Sequence, residues 1–173
     1  MTEAIVTGAP MRASSRLGPR LAERMDGGGI ILRRWAGCWI DFIALGLIAF
    51  LFMAIGSGQP WAGVPIAVGL LAMLAYFPVT EGLWGRSLGK LITGTIVIDA
   101  AGRPPGVPRA IVRTLLRLVE VNPFFLGGIP AGLFAAFTKH HQRLGDMAAG
   151  TYVVTFSAWE KAKTADVDPK VFD

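Results

Sequence analysis

The chain has 173 residues, of which 53% are hydrophobic and only 17% charged, against about 25% charged in ordinary soluble domains. Its mean hydropathy is +0.51, and the missing charge is concentrated in long uncharged stretches, which fits a soluble enzyme poorly and a membrane protein well. Lys and Arg number 17 against 12 acids, a net charge of +5; in a membrane protein such an excess reports which loops face the cytoplasm. The single cysteine, Cys38, excludes an intrachain disulfide and a multi-cysteine metal site.

Residues 1–29 carry Arg12, Arg16, Arg20 and Arg24 among small and breaker residues and end in Gly27, Gly28 and Gly29. They read as a disordered basic tail with a glycine hinge, without the apolar core of a secretory signal. From Trp35 to Gly56 only Asp41 is charged. That run predicts a first transmembrane helix of about 33 Å, long enough to cross a bilayer. Residues 57–60 form a turn, and Trp61 to Thr80 gives a second uncharged crossing with an aromatic at its start. Pro65 falls in its first turn, and Pro78 is placed to kink or end it.

Residues 81–109 are more polar. Ile92 to Asp99 alternates and precedes Gly102, Pro104 and Pro105, the pattern of a short strand outside the lipid. Gly85, Gly89 and Lys90 do not make a phosphate loop, because only three residues separate the glycines and Leu91 stands where Ser or Thr would bind magnesium. Over about 107–121, Arg109, Arg113, Arg117 and Glu120 follow at steps of four, four and three with apolar residues between them, predicting an amphipathic helix. Its cationic stripe faces either anionic headgroups or a polar space within the bundle. Residues 123–138 are apolar but broken by Gly127, Gly128, Pro130 and Gly132, which suits a short or re-entrant helix. Residues 150–156 read as a second strand and 157–173 as a disordered tail.

All Lys and Arg fall in three blocks, 1–34, 81–122 and 139–173, and the 56–60 turn has none. The positive-inside rule therefore places that turn outside and both termini in the cytoplasm. The second strand can then pair with 92–99 in one compartment. The fold class is an all-α membrane protein: a small transmembrane helical bundle with a short cytoplasmic two-stranded β element.

The series Arg34, Trp35 and Asp41 at the head of the first apolar helix, then Trp84, Gly85, Arg86, Ser87, Leu88, Gly89 and Lys90 leading into Gly94, and finally Arg143, Leu144, Gly145, Asp146 with Gly150 and Thr151, resembles the RDD family of bacterial membrane proteins over about residues 30–156. The resemblance maps the arginine and two aspartates of that name onto Arg34, Asp41 and Asp146. Members commonly carry His before the last aspartate, where this chain has Gly145. The resemblance implies a multi-pass protein of the bacterial inner membrane and a role in transport, with cation/proton exchange, and thus a monovalent cation and a proton, among the proposals.

Asp41 is the most informative single residue, since an aspartate in a membrane helix costs about 2.5–3.5 kcal/mol on insertion scales and must be compensated. It shares a helix face with Gly37, Cys38, Ala44 and Leu45, small enough in part for another helix to approach. The expected arrangement is a polar cluster in which Asp41 meets Arg113 or Arg117 and Arg34 meets Asp146. Such a cluster is either an ionic latch that fixes packing or a site where Asp41 trades a proton for a cation. The adjacent His140 and His141 diverge on a helix and suit no shared metal, and Cys38 reads as a packing residue. No catalytic triad, metal motif or cofactor fingerprint is present, so neither an enzyme nor a cofactor is expected; nor is nucleic acid binding, for want of an aromatic stacking surface. The partners expected are the lipid bilayer and further copies of the chain or a larger membrane complex, in which the alternative to transport is an accessory or scaffold subunit.

Overall fold

The computed structural model describes residues 17–120 and 129–167. Its elements in chain order are α1 (Leu17–Glu23), α2 (Gly27–Gly56), α3 (Gly63–Trp84), α4 (Leu88–Ile92), β1 (Thr95–Asp99), α5 (Val107–Glu120), α6 (Ile129–Phe137), α7 (Leu144–Ala148), β2 (Thr151–Thr155) and α8 (Phe156–Val167).

Two helices, α2 and α3, are long and apolar enough to cross a membrane. They pack side by side and are joined by a turn in which Gly58 adopts φ +75°. Each runs further than the hydropathy alone delimits. α2 starts at the glycine triplet, not after it, because the Asp26 carboxylate accepts the Gly29 N–H at 2.8 Å and caps the helix. α3 runs through Pro78 and past Thr80 to Trp84, where Gly85 at φ +68° ends it and returns its N–H to the Glu81 carbonyl. Toward the 57–62 turn both helices present large apolar side chains outward, Phe50 with 71% of its surface exposed and Leu71 with 65%.

At the other end the chain builds a small core of its own. β1 and β2 pair antiparallel, Thr95 opposite Thr155 and Asp99 opposite Thr151, as the shared-compartment argument required. Ile96, Ile98 and Val154 on one face pack with Leu21 and Ala22 of α1 and with Phe156 and Trp159 of α8. This corrects both expected tails. Residues 17–29 hold α1 and the start of α2, with the Gly18 N–H bonded to the Ala100 carbonyl at 3.0 Å. Residues 156–167 form α8, held by Phe156 and Trp159 three positions apart and by the Trp159 indole N–H on the Gly102 carbonyl at 2.7 Å. Residues 1–16 and 168–173 lie outside the described residues, as do 121–128, the start of the short helix expected over 123–138. The first strand is shorter than expected, since Ile92 closes α4.

α5 turns three of its four charges inward, while Arg109 stays half exposed and pairs with Asp99 at 3.3 Å. Arg113 is fully buried and Arg117 and Glu120 nearly so, while Leu115 and Leu118 are about 60% exposed. Of the two placements the sequence left open, the stripe takes the polar interior, and its apolar side continues the outward apolar surface of α2 and α3.

Candidate functional site

The site forms where α2, α3, α4, α5 and α7 converge beside the sheet. Glu81, on the last turn of α3, is fully buried. It accepts from Lys90 Nζ at 2.8 Å, Arg117 Nη2 at 2.5 Å and Arg113 Nε at 3.1 Å. Asp146, on α7 and also fully buried, accepts from Arg34 Nη2 at 2.5 Å, Arg143 Nε at 3.3 Å and Arg113 Nη1. Arg113 thus bridges the two acids through different edges of one guanidinium, and its Nη1 also reaches the Thr151 hydroxyl at 2.5 Å. Only the planar fork of arginine reaches two carboxylates in this way.

Short backbone features fix the geometry. The Gly145 N–H is taken by Glu120 at 2.8 Å, and the Arg143 N–H returns to Asp146 at 3.3 Å to cap α7. Gln142 Nε2 holds the Thr151 carbonyl at 2.8 Å, and the His141 carbonyl receives Arg34 Nη1 at 2.7 Å. Burial pushes the Asp146 carboxyl up, but the guanidiniums of Arg113, Arg34 and Arg143 outweigh it and hold the group far below the usual carboxylate range. Burial dominates at Lys90 and Arg117, lowering both against the pull of Glu81. At Glu120 it raises the carboxyl.

Asp41 stands apart from these pairs. Its carboxylate, 2% exposed, accepts the Ser87 hydroxyl at 2.6 Å, the Gly89 N–H at 2.8 Å and the Tyr76 hydroxyl at 2.9 Å. Neither Arg113 nor Arg117 holds it; both go to Glu81. The expected pairing of Asp41 with one of them is therefore corrected, while the pairing of Arg34 with Asp146 is present. The reason is local. α4 lies against α2 at Gly37 so closely that a methyl on Gly89 would overlap the Gly37 carbonyl, and this contact delivers the Ser87 hydroxyl and the Gly89 amide to Asp41.

The segment from Trp84 to Lys90 acquires one purpose from this arrangement. Gly85 stops α3 just after Glu81 and accepts the Val97 N–H at 2.7 Å. Ser87 and Gly89 satisfy Asp41, and Lys90 reaches Glu81. Gly94, at φ +67°, turns the chain into β1 and accepts the Phe156 N–H at 2.8 Å, and Gly150, at φ +60°, precedes Thr151. Gly145 stands where a histidine would be next to Asp146, and the acid is satisfied by guanidiniums instead. His140 lies at Glu23 and Tyr152, outside the cluster.

Between the two acids and Asp41 lies a cavity of about 30 Å³, room for one or two waters. Arg34, Lys90, Arg113, Arg117, Arg143 and Asp41 line it, with Cys38, Phe77 and Val153 closing the apolar side. Arg117 also lies 3.7 Å over the Phe77 ring. Among the described residues no group of His, Cys, Asp and Glu is arranged to hold a metal ion.

Sequence reasoning missed Glu81, Arg143, Tyr76 and Ser87 as members of the site and took Cys38 for packing alone. A signal for Glu81 was present: it is the single acid between Trp61 and Trp84, immediately before a block with six Lys and Arg. Ending the second helix at Thr80 because a charge followed placed it in a loop.

This chain belongs to the RDD family, whose family model matches residues 29–150, a span that includes every charged residue of the cluster. The family and the two apolar helices fit a membrane protein. No curated protein and no solved structure matches the chain.

Proposed function

We infer that the chain is an integral protein of the bacterial inner membrane that moves an ion or a small solute, working as an oligomer, with the buried cluster as the place where the solute's charge is met. The cavity carries this reading: a latch needs only the ion pairs, whereas here five cationic side chains and Asp41 also surround a space. Sidedness is supported by charge. α1, α4, α5, α7 and the sheet gather at one end with the described Lys and Arg, the 57–62 turn has none, and positive ends stay cytoplasmic. Two long helices enclose no pathway, and their outward apolar faces suit lipid and neighbouring copies.

Exchange of a cation for a proton on Asp41 draws support from one observation and opposition from another. No arginine occupies the carboxylate, so it faces the cavity without an ion-pair partner; yet three donors already hold it and the remaining charged wall is entirely cationic, which raises the energy of a bare cation there. The alternative, a scaffold subunit, calls for a continuous seam of small residues on an outer face. Gly46 has open space around it, but Ile43, Leu47 and Phe50 beside it are large and exposed, so no such seam runs along α2.

The test is solute movement in proteoliposomes: collapse of a preset pH gradient on adding sodium, lithium or potassium, and tracer flux of small anions, each compared with Asp41→Asn at equal reconstitution. A solute-dependent signal altered by the substitution supports transport. No signal from folded wild-type protein sinks it and leaves the scaffold, to be pursued by crosslinking.

A further inference from the structure

The cluster is unbalanced. Arg34, Lys90, Arg113, Arg117 and Arg143 bring five positive charges to the cavity wall. Glu81, Asp146 and Asp41 supply three negative ones, and Glu120, bound to the Gly145 amide beyond the wall, a fourth. One or two positive charges remain uncompensated among side chains that are themselves largely buried, where uncompensated charge is costly.

The donors are in surplus as well. Among the described residues, Arg113 leaves Nη2 and Arg117 leaves Nη1 buried without a hydrogen-bond partner. Both side chains line the cavity, and both are at least nine-tenths buried. Acceptors are what this space lacks. The one acid on the wall, Asp41, already receives three donors, so it offers little to a cation.

We propose that this cavity is a binding site for a small monovalent inorganic anion of the size of chloride or nitrate, held by the free guanidinium N–H groups of Arg113 and Arg117 with Lys90, Arg34 and Arg143 supplying the surrounding field. The size follows from the cavity: 30 Å³ takes a halide or a three-atom-wide oxyanion in place of its waters and leaves no room for a nucleotide or a sugar phosphate. The Phe77 ring stacked on Arg117 keeps that guanidinium in place, so its donors are pre-organised for an incoming acceptor. An anion here removes the charge excess and satisfies both orphaned donors at once. The inference deepens the transport reading by naming the charge class of what the site takes; it rests on that reading for the purpose of the anion and not for its binding.

The test is thermal unfolding of the full-length protein in detergent, titrating chloride against gluconate at constant ionic strength and constant sodium, with a parallel series exchanging sodium for choline at constant chloride. The expected result is a saturable rise in Tm with chloride or nitrate, indifferent to the cation. Arg117→Gln should weaken the apparent affinity at least about tenfold, while Glu81 keeps Lys90 and Arg113. A rise that never saturates, one that follows the cation, or one unchanged in Arg117→Gln overturns the proposal. Chloride-35 line broadening on the wild-type protein, reversed by bromide, gives the answer without any variant: no specific broadening in folded protein also overturns it. Saturable chloride binding with no flux in proteoliposomes leaves the site standing and removes transport. Flux that is indifferent to chloride, in protein that binds none, does the reverse.

Discussion

The turn end and the sheet end of this molecule solve opposite problems with the same two helices. From about residue 42 to the 57–62 turn, α2 and α3 bury little against their own chain and hold Phe50, Leu71 and their neighbours outward. At the sheet end the same helices carry Arg34, Asp41 and Glu81, and every one of these is covered by α4, α5 or α7. The contrast shows where specificity is stored. The turn end needs an apolar surrounding and tolerates many sequences that provide it. The sheet end needs particular atoms at particular distances, because a buried charge that loses its partner has no water to fall back on.

The sharpest way to break the contrast is Arg113→Met. It strips one partner from both Glu81 and Asp146 and should lower stability by about 5 kcal/mol, read as loss of folded protein in detergent at neutral pH.

Asp146→Asn should cost less, about 3 kcal/mol at neutral pH, and it changes the pH dependence. The folded carboxyl of Asp146 is held well below its ordinary value of 3.8. Its contribution is therefore complete above that value and drains away as the pH falls below it toward the folded one. Wild-type stability should drop steeply below about pH 4, and Asp146→Asn should flatten that slope; equal slopes in acid titrations would detach Asp146 from the cluster's energetics.

The smallest effect belongs to the turn end. Phe50→Ser should shift detergent stability by no more than about 0.5 kcal/mol. A loss rivalling that of Arg113→Met would mean that the exposed faces pack within the chain, and the comparison between the two ends would collapse.

Much of this was legible before the structure. The two long helices, the inward-facing amphipathic helix as one of two placements and the strand pair follow from hydropathy, period and charge placement, while the union of Arg34 with Asp146 follows from the resemblance to the RDD family, which singles out both residues. The failures have two causes. The 17–29 and 156–167 segments look like tails because few apolar residues mark them, yet Leu21, Ala22, Phe156 and Trp159 suffice to cover a two-stranded sheet. The partner of Asp41 was misjudged because pairing it with an arginine is the obvious compensation for a buried carboxylate. Its compensation comes instead from two hydroxyls and a backbone amide, and the amide is delivered by the glycine contact between α2 and α4, a tertiary approach that charge spacing does not encode.

Cys38 allows the most direct measurement, since it is the only cysteine in the chain and lies on the cavity wall. Its modification by an anionic and a cationic methanethiosulfonate of similar size should be timed in sealed vesicles of both orientations. A cationic recognition site at the sheet end predicts reaction from the sheet side, faster with the anionic reagent. Equal or faster reaction with the cationic reagent, or no reaction from the sheet side of folded protein, would contradict it.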